Sequence, residues 1–232
     1  MSFIFPPREP TSVEIKGTND RFPVHRIYCV GRNYAAHARE MGKDPDREPP
    51  FFFTKPADAI VPNEAVIPYP TRTANLHHEI ELVVAVGQPG RNVPVGSALD
   101  YVFGYAVGND FTRRDLQFEA RDKGRPWDTS KGFDCSAAIT AITPVSECGH
   151  LSKGRIWLSV NQTLRQSGDL DELIWKVPEV IAELSTLFAL VPGDLIYTGT
   201  PAGVGALNVG DRVEGGVDGL DVLVNIVGPS EA

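Results

Sequence analysis

Two glutamates, Glu79 and Glu81, stand at alternate positions where the run NLHHEIELVVAVG (75–87) turns from polar to apolar. In a strand, side chains alternate between faces, so Glu79, Glu81 and Val83 share one face while Ile80, Leu82 and Val84 share the other. Two carboxylates on one face repel, and either water or a cation must offset the repulsion. A solvated edge strand would do so with water. A third carboxylate opens the other possibility. Asp110 follows the apolar run 102–107 in DYVFGYAVGNDFTRRD, just before a helical stretch. It can cap that helix, or it can converge with the glutamates on a divalent ion. Such an all-oxygen donor set favours Mg²⁺, Mn²⁺ or Ca²⁺ over zinc. Mg²⁺ suits catalysis because it keeps exchangeable water or substrate ligands. His77 and His78 come immediately before. Imidazole suits Mg²⁺ poorly, so both read as supporting or structural groups rather than ligands.

Three further stretches carry chemistry. In RNYAAHAREMG (32–42), His37 and Glu40 are three residues apart, on one face of a helix. They form either a surface ion pair or a general base with its orienting carboxylate, which would fix the imidazole tautomer. The run LIYTGTPAGVG (195–205) is a strand entering a Thr/Gly/Pro turn, without the GKS or GKT of a phosphate loop. It is either a tight turn with glycines at positive φ, or a nest of N–H groups with the Thr200 hydroxyl, suited to a carboxylate. Lys131 in TSKGFD and Arg32 are additional cationic candidates, each weak by itself because most Lys and Arg side chains are solvated.

These groups must be held by elements legible from the pattern. RIYCVG (26–31) reads as a strand and 32–41 as a helix, with Asn33 in position to cap it. KDPDREPP (43–50) is a charged, proline-broken loop, and FFFTKP a strand that Pro56 ends. Further strands are expected at 65–68, 79–86, 101–109, 137–141, 156–161, 194–198 and along 211–226, with helices at 112–122 and 177–190. Strands separated by Gly, Pro and Asp turns, without regular βαβ alternation, predict an α+β, strand-dominated fold. Residues 1–20 read as an irregular, Pro-rich arm, and 21–232 as a single domain. The chain has 232 residues, 42% apolar and 22% charged, which is the balance of an ordinary soluble globular protein. Its net charge of -8 argues against a nucleic-acid partner. No apolar run approaches a membrane span, no secretory leader is expected, and Cys29, Cys135 and Cys148 read as reduced structural thiols of a cytoplasmic protein.

Taken together, VGRNYAAHAREMG, PFFFTKP, NLHHEIELVVAVG, GYAVGNDFTRRDLQ, KGFD and GDLIYTGTPAGVG resemble the fumarylacetoacetate hydrolase family, in unbroken order from about 26 to 226. The resemblance is strongest to its short members, which hydrolyse acylpyruvates, including those of bacterial gentisate degradation. It implies a mixed β-roll of the type of the family's C-terminal domain, a homodimer, and a Mg²⁺ or Mn²⁺ ion. By the motifs, Glu79, Glu81 and Asp110 would be the metal ligands. His37 and Glu40 would be the catalytic pair on a lid spanning about 32–50. Lys131 would stabilise an enolate, and Arg32, Gln117 and Thr200 would contact substrate. The implied reaction is hydrolytic C–C cleavage of 2,4-dioxo acids, such as fumarylpyruvate to fumarate and pyruvate. Decarboxylation of oxaloacetate and isomerase or decarboxylase work on 2-oxo-heptenedioates are alternatives within the family. A non-catalytic binding module is disfavoured, because binding alone would not require His37 and Glu40.

Overall fold

The computed structural model describes residues 3–40 and 48–230, with residues 38–40 described by their backbone only. Most of the 43–50 loop read as part of a lid therefore lies outside the described residues. The long apolar runs form a mixed eight-stranded sheet. Its order is Phe51–Lys55, Arg26–Gly31, Asp194–Tyr197, Ile80–Val86, Val102–Asp110, Ala137–Ile139 and Ile60–Pro62, with Thr143–Pro144 also pairing with Val102–Asp110. Arg26–Gly31 runs parallel to Asp194–Tyr197, whereas Ile80–Val86 is antiparallel to both of its neighbours. A five-stranded sheet follows the order Thr163–Asp169, Arg155–Val160, Arg212–Val217, Leu223–Gly228 and Val66–Pro68. The fold is α+β and strand-dominated, as expected.

The alternation of Ile80–Val86 feeds two cores. Ile80, Leu82, Val84 and Val86 pack with Ile156, Leu158, Val213 and Val217 of the second sheet. Val180, Ile181 and Leu184 of the helix Val177–Leu187 join the same cluster, at the i, i+1, i+4 spacing of its apolar stripe. Val83 and Ala85 enter the other cluster with Ile27, Cys29, Leu195 and Tyr197. Every residue of Ile80–Val86 is buried and the strand has a partner on each side, so it is no solvated edge.

Four local expectations change. Part of the segment read as an irregular arm is ordered: Ser12–Glu14 pairs with Arg21–Pro23, and Val13 and Phe22 join the second core. The stretch 211–226 is a hairpin of Arg212–Val217 and Leu223–Gly228 rather than one strand. The helix expected at 112–122 spans Arg114–Asp122, because Thr112–Arg113 is held as a strand against Leu76–His77. The helix expected at 32–41 spans Ala35–Glu40, and Asn33 does not cap it. The Asn33 side chain instead accepts from the Trp175 N–H at 2.7 Å and donates to the carbonyls of Trp175 and Thr198 at 2.9 and 2.8 Å.

Candidate active site

Strand pairing brings the three carboxylates together. Ile80 stands opposite Asn109 and Glu81 opposite Gly108, and the Asp110 N–H donates to the Glu79 carbonyl at 2.8 Å. Glu79 and Asp110 are thus cross-strand neighbours on one face, with Glu81 one pleat further along. One oxygen from each lies within 4.8 Å of the others, and all three residues are buried. Asp110 is not the cap of the following helix, whose N-cap position is Arg113.

Protein cations offset much of this charge, and they do so unevenly. Lys131 Nζ donates to Glu79 Oε2 at 2.7 Å, Asp110 Oδ2 at 2.6 Å and Thr112 Oγ1 at 2.7 Å. The Arg114 guanidinium pairs with Glu79 Oε1 at 2.5 Å, and Lys55 Nζ stands 2.8 Å from Asp110 Oδ1. Burial alone would raise the pKa of Glu79, but the charges of Lys131 and Arg114 outweigh it and hold the group well below the usual carboxylate range. Glu81 differs. No Lys or Arg among the described residues comes within ion-pair distance of it, and its Oε2 accepts from the Gly199 N–H at 2.6 Å. Burial, and then the charges of Asp110 and Glu79, push its pKa well up. Among the described residues Glu81 therefore has no Lys or Arg ion-pair partner. Among the described residues Asp110 Oδ1 is likewise buried without accepting a hydrogen bond, although Lys55 Nζ lies at ion-pair distance from it. Clustered oxygen donors with this deficit fit a hard divalent cation.

The remaining expected residues fall around the same cavity, which is lined by Arg32, His37, Gln117, Lys131 and Thr200 together with the three carboxylates. His37 is 6% exposed, so it is not half of a surface ion pair. The Glu40 side chain, and with it the His37–Glu40 pair, lies outside the described residues. Thr200 Oγ1 accepts from Gln166 Nε2 at 2.7 Å. The turn at 195–205 does offer an N–H to an anion, but at Gly199 that anion is Glu81. Gly199 sits at φ +103°, and a Cβ there would lie 2.7 Å from Asn33 Cβ, so only glycine presents this N–H without strain.

His77 and His78 support the centre from outside. His77 Nδ1 accepts from Arg114 Nε at 3.3 Å, while His78 Nδ1 donates to Gln166 Oε1 at 2.8 Å. Sequence reasoning missed Arg114, Lys55 and Gln166. Arg114 was the most accessible of them, as it lies one turn before Gln117 on a helix already in view, and its guanidinium also donates to Gln117 Oε1 at 2.5 Å. Lys55 and Gln166 carry no local signal. Lys55 ends an apolar strand, and Gln166 is the buried residue in an otherwise largely exposed stretch of the strand Thr163–Asp169.

A fumarylpyruvate hydrolase from Ralstonia sp is 48% identical over 193 residues, covering 82% of this chain and 100% of the relative. The mitochondrial oxaloacetate tautomerase FAHD1 of Homo sapiens is 44% identical over 194 residues, covering 84% of this chain and 87% of that protein. The crystal structure of fumarylpyruvate hydrolase from Pseudomonas aeruginosa, in complex with Mn²⁺ and pyruvate, superposes with a TM-score of 0.97 at 52% identity, over 99% of this chain and 100% of that one. The family described as Fumarylacetoacetate (FAA) hydrolase C-terminal matches residues 26–228, a span that holds every residue of the buried acid–base cluster. The chain belongs to the fumarylacetoacetate hydrolase family.

Proposed function

We propose that this protein hydrolyses the C–C bond of 2,4-dioxo acids, with fumarylpyruvate, cleaved to fumarate and pyruvate, as its main substrate. The observation that carries the reading is the buried cluster of Glu79, Glu81 and Asp110, bridged by Lys131 and sharing its cavity with His37 and Gln117. The relatives named fumarylpyruvate hydrolase, at about half identity, supply the substrate.

Glu79, Glu81 and Asp110 would hold a Mg²⁺ or Mn²⁺ ion, which when bound polarises the carboxylate and 2-oxo oxygens of the substrate. Three buried bases (Lys55, Lys131 and Arg114) face the three acids, so a divalent ion leaves the pocket positive and matched to a dianionic acid. His37 takes a proton from water, with Glu40 orienting its ring, and the hydroxide attacks the 4-carbonyl. The C3–C4 electron pair leaves with the pyruvate half as an enolate. Gln117 and Arg114 line the cavity as donors for that developing charge, joined by Lys131 when it exchanges one of its three bonds to Glu79, Asp110 and Thr112, and the proton that His37 took from water returns through solvent to C3. Arg32 and Thr200 orient the substrate. The helix Ala35–Glu40 and the loop after it act as a lid excluding bulk water.

A second reading, on oxaloacetate, is favoured by the tautomerase relative. Proton transfer or decarboxylation there would use the same acids and Lys131 but no attacking water. We place the enzyme as a cytoplasmic homodimer in aromatic catabolism through gentisate, supported by the family resemblance; no helix among the described residues is long and apolar enough to cross a membrane. Turnover measured on fumarylpyruvate, acetylpyruvate and oxaloacetate, each with Mg²⁺ and with Mn²⁺, tests the assignment. Faster turnover of oxaloacetate than of either acylpyruvate would overturn it.

A further inference from the structure

The helix Arg114–Asp122 presents Arg114, Gln117, Phe118 and Arg121 to the cavity, at the i, i+3, i+4, i+7 spacing of a single face. The first two are buried at the carboxylate cluster. Arg121 lies two turns further on, about 10 Å along the helix axis at 1.5 Å per residue. Its guanidinium sits 4.7 Å from the Phe118 ring centroid. Trp127 and Phe53 also line the cavity; Trp127 packs edge-on to Phe51 at 5.3 Å and against Phe53 at 5.8 Å, and Lys131 Nζ is 5.0 Å from the Phe53 ring centroid. The cavity thus joins the buried acids and bases to aromatic rings, with the Arg121 guanidinium on the same helix face two turns beyond Arg114 and Arg32 also in its lining.

That span has the dimensions of a molecule. A seven-carbon chain bearing a carboxylate at each end spans about 7–8 Å between its terminal carbons, from six bonds of about 1.5 Å each. With one end at the buried acids and bases, such a chain is long enough to reach toward Arg121, two helical turns from Arg114. Among the described residues Arg121 pairs with Asp122, a sequence neighbour whose side chain is 65% exposed, at 3.0 Å. Such an exposed pair contributes only about 0–1 kcal/mol. Arg121 can exchange it for a ligand carboxylate at little cost.

We infer that Arg121 reads the distal carboxylate of the substrate while Phe118 and Trp127 pack on the planar chain between, so that the preferred substrates are acylpyruvates whose acyl group itself ends in a carboxylate. This rests on the hydrolase reading above and adds to it the residue that selects the acyl group. Arg121 is a specificity residue, distant from the bond that breaks.

The test compares Arg121→Met and Arg121→Lys with the wild-type enzyme, loaded with Mg²⁺, on fumarylpyruvate and acetylpyruvate. Arg121→Met lowers kcat/KM for fumarylpyruvate on the order of 10- to 100-fold, chiefly through KM, as expected for loss of a charged hydrogen-bond partner. Acetylpyruvate, which has no distal carboxylate, changes by less than about twofold, and Arg121→Lys recovers part of the loss. Equal losses on the two substrates, or none on fumarylpyruvate, overturn the inference. Calorimetric titration with fumarate and with oxalate reads the same site without turnover. Arg121→Met weakens fumarate and leaves oxalate unchanged, and an unchanged fumarate affinity refutes the role of Arg121. A wild-type protein that cleaves neither acylpyruvate refutes the hydrolase reading instead, and the titration still decides Arg121.

Discussion

Glu79 and Glu81 are two residues apart and would hold the same ion, yet removing their charges should move the stability of the metal-free protein in opposite directions. Glu79 is clamped by Lys131 at 2.7 Å and Arg114 at 2.5 Å, all buried. Glu79→Gln leaves two buried cations facing a neutral amide, and breaking a buried pair costs about 3–5 kcal/mol. The glutamine oxygen still accepts one hydrogen bond, so the low end applies. For a chain of this size about 3 kcal/mol corresponds to a fall of roughly 6–12 °C in melting temperature. Glu81 has no basic partner among the described residues and sits beside two other carboxylates. Glu81→Gln keeps an acceptor for the Gly199 N–H and removes the repulsion, so the metal-free variant should melt at or slightly above the wild-type temperature. Metal reverses the ranking. At a Mg²⁺ concentration of about 100 times Kd, mass action stabilises the wild type by about 2.7 kcal/mol, or roughly 5–10 °C. Both variants should lose that rise and most activity with it. Melting followed by circular dichroism in EDTA and across a Mg²⁺ titration measures all of this. A metal-free Glu81→Gln protein as unstable as Glu79→Gln would refute the charge assignment, and a wild type indifferent to Mg²⁺ would refute the metal site.

Further outcomes follow from the same geometry. His37→Ala should slow acylpyruvate hydrolysis on the order of 10²–10⁴-fold, the range for a positioned general base, and oxaloacetate conversion much less; equal losses would give His37 a positioning role. Lys131→Met should lower kcat more than it raises KM if the ammonium meets charge that develops during cleavage, and a pure KM effect would make it a carboxylate anchor. Gly199→Ala forces a Cβ to 2.7 Å from Asn33 Cβ at φ +103° and should cost about 1–3 kcal/mol while weakening Mg²⁺ binding, because the N–H that orients Glu81 moves; calorimetric Mg²⁺ titration of the variant checks it, and an unchanged affinity would mean that Glu81 does not need this donor.

Local pattern determined much of the architecture. Arg26–Gly31, Phe51–Lys55, Ile80–Val86 and Val102–Asp110 are apolar runs closed by Gly, Pro or Asp, and such runs make strands wherever a core receives them. The alternation that put Glu79 and Glu81 on one face is a property of any extended chain. Other elements had no such signal. Thr163–Asp169 is largely exposed and polar, and it is a strand because Arg155–Val160 offers its hydrogen-bonding edge. Ser12–Glu14 is ordered by pairing with Arg21–Pro23 and by the seat of Val13 in the core. The active centre divides the same way. The carboxylate types and the His37 helix were legible, since residue chemistry is written in the chain. What offsets the carboxylates was legible only in part, as a divalent ion and Lys131 named from the motifs, because a buried base's partner depends on which strands pair and in which register. Setting Ile80 opposite Asn109 places Asp110 beside Glu79, and the chain then carries Lys55, Arg114 and Lys131 to that point from three separate elements. Each of these bases looks like any surface lysine or arginine until tertiary structure buries it against an acid, for burial is what converts a weak solvated charge into one that demands a partner.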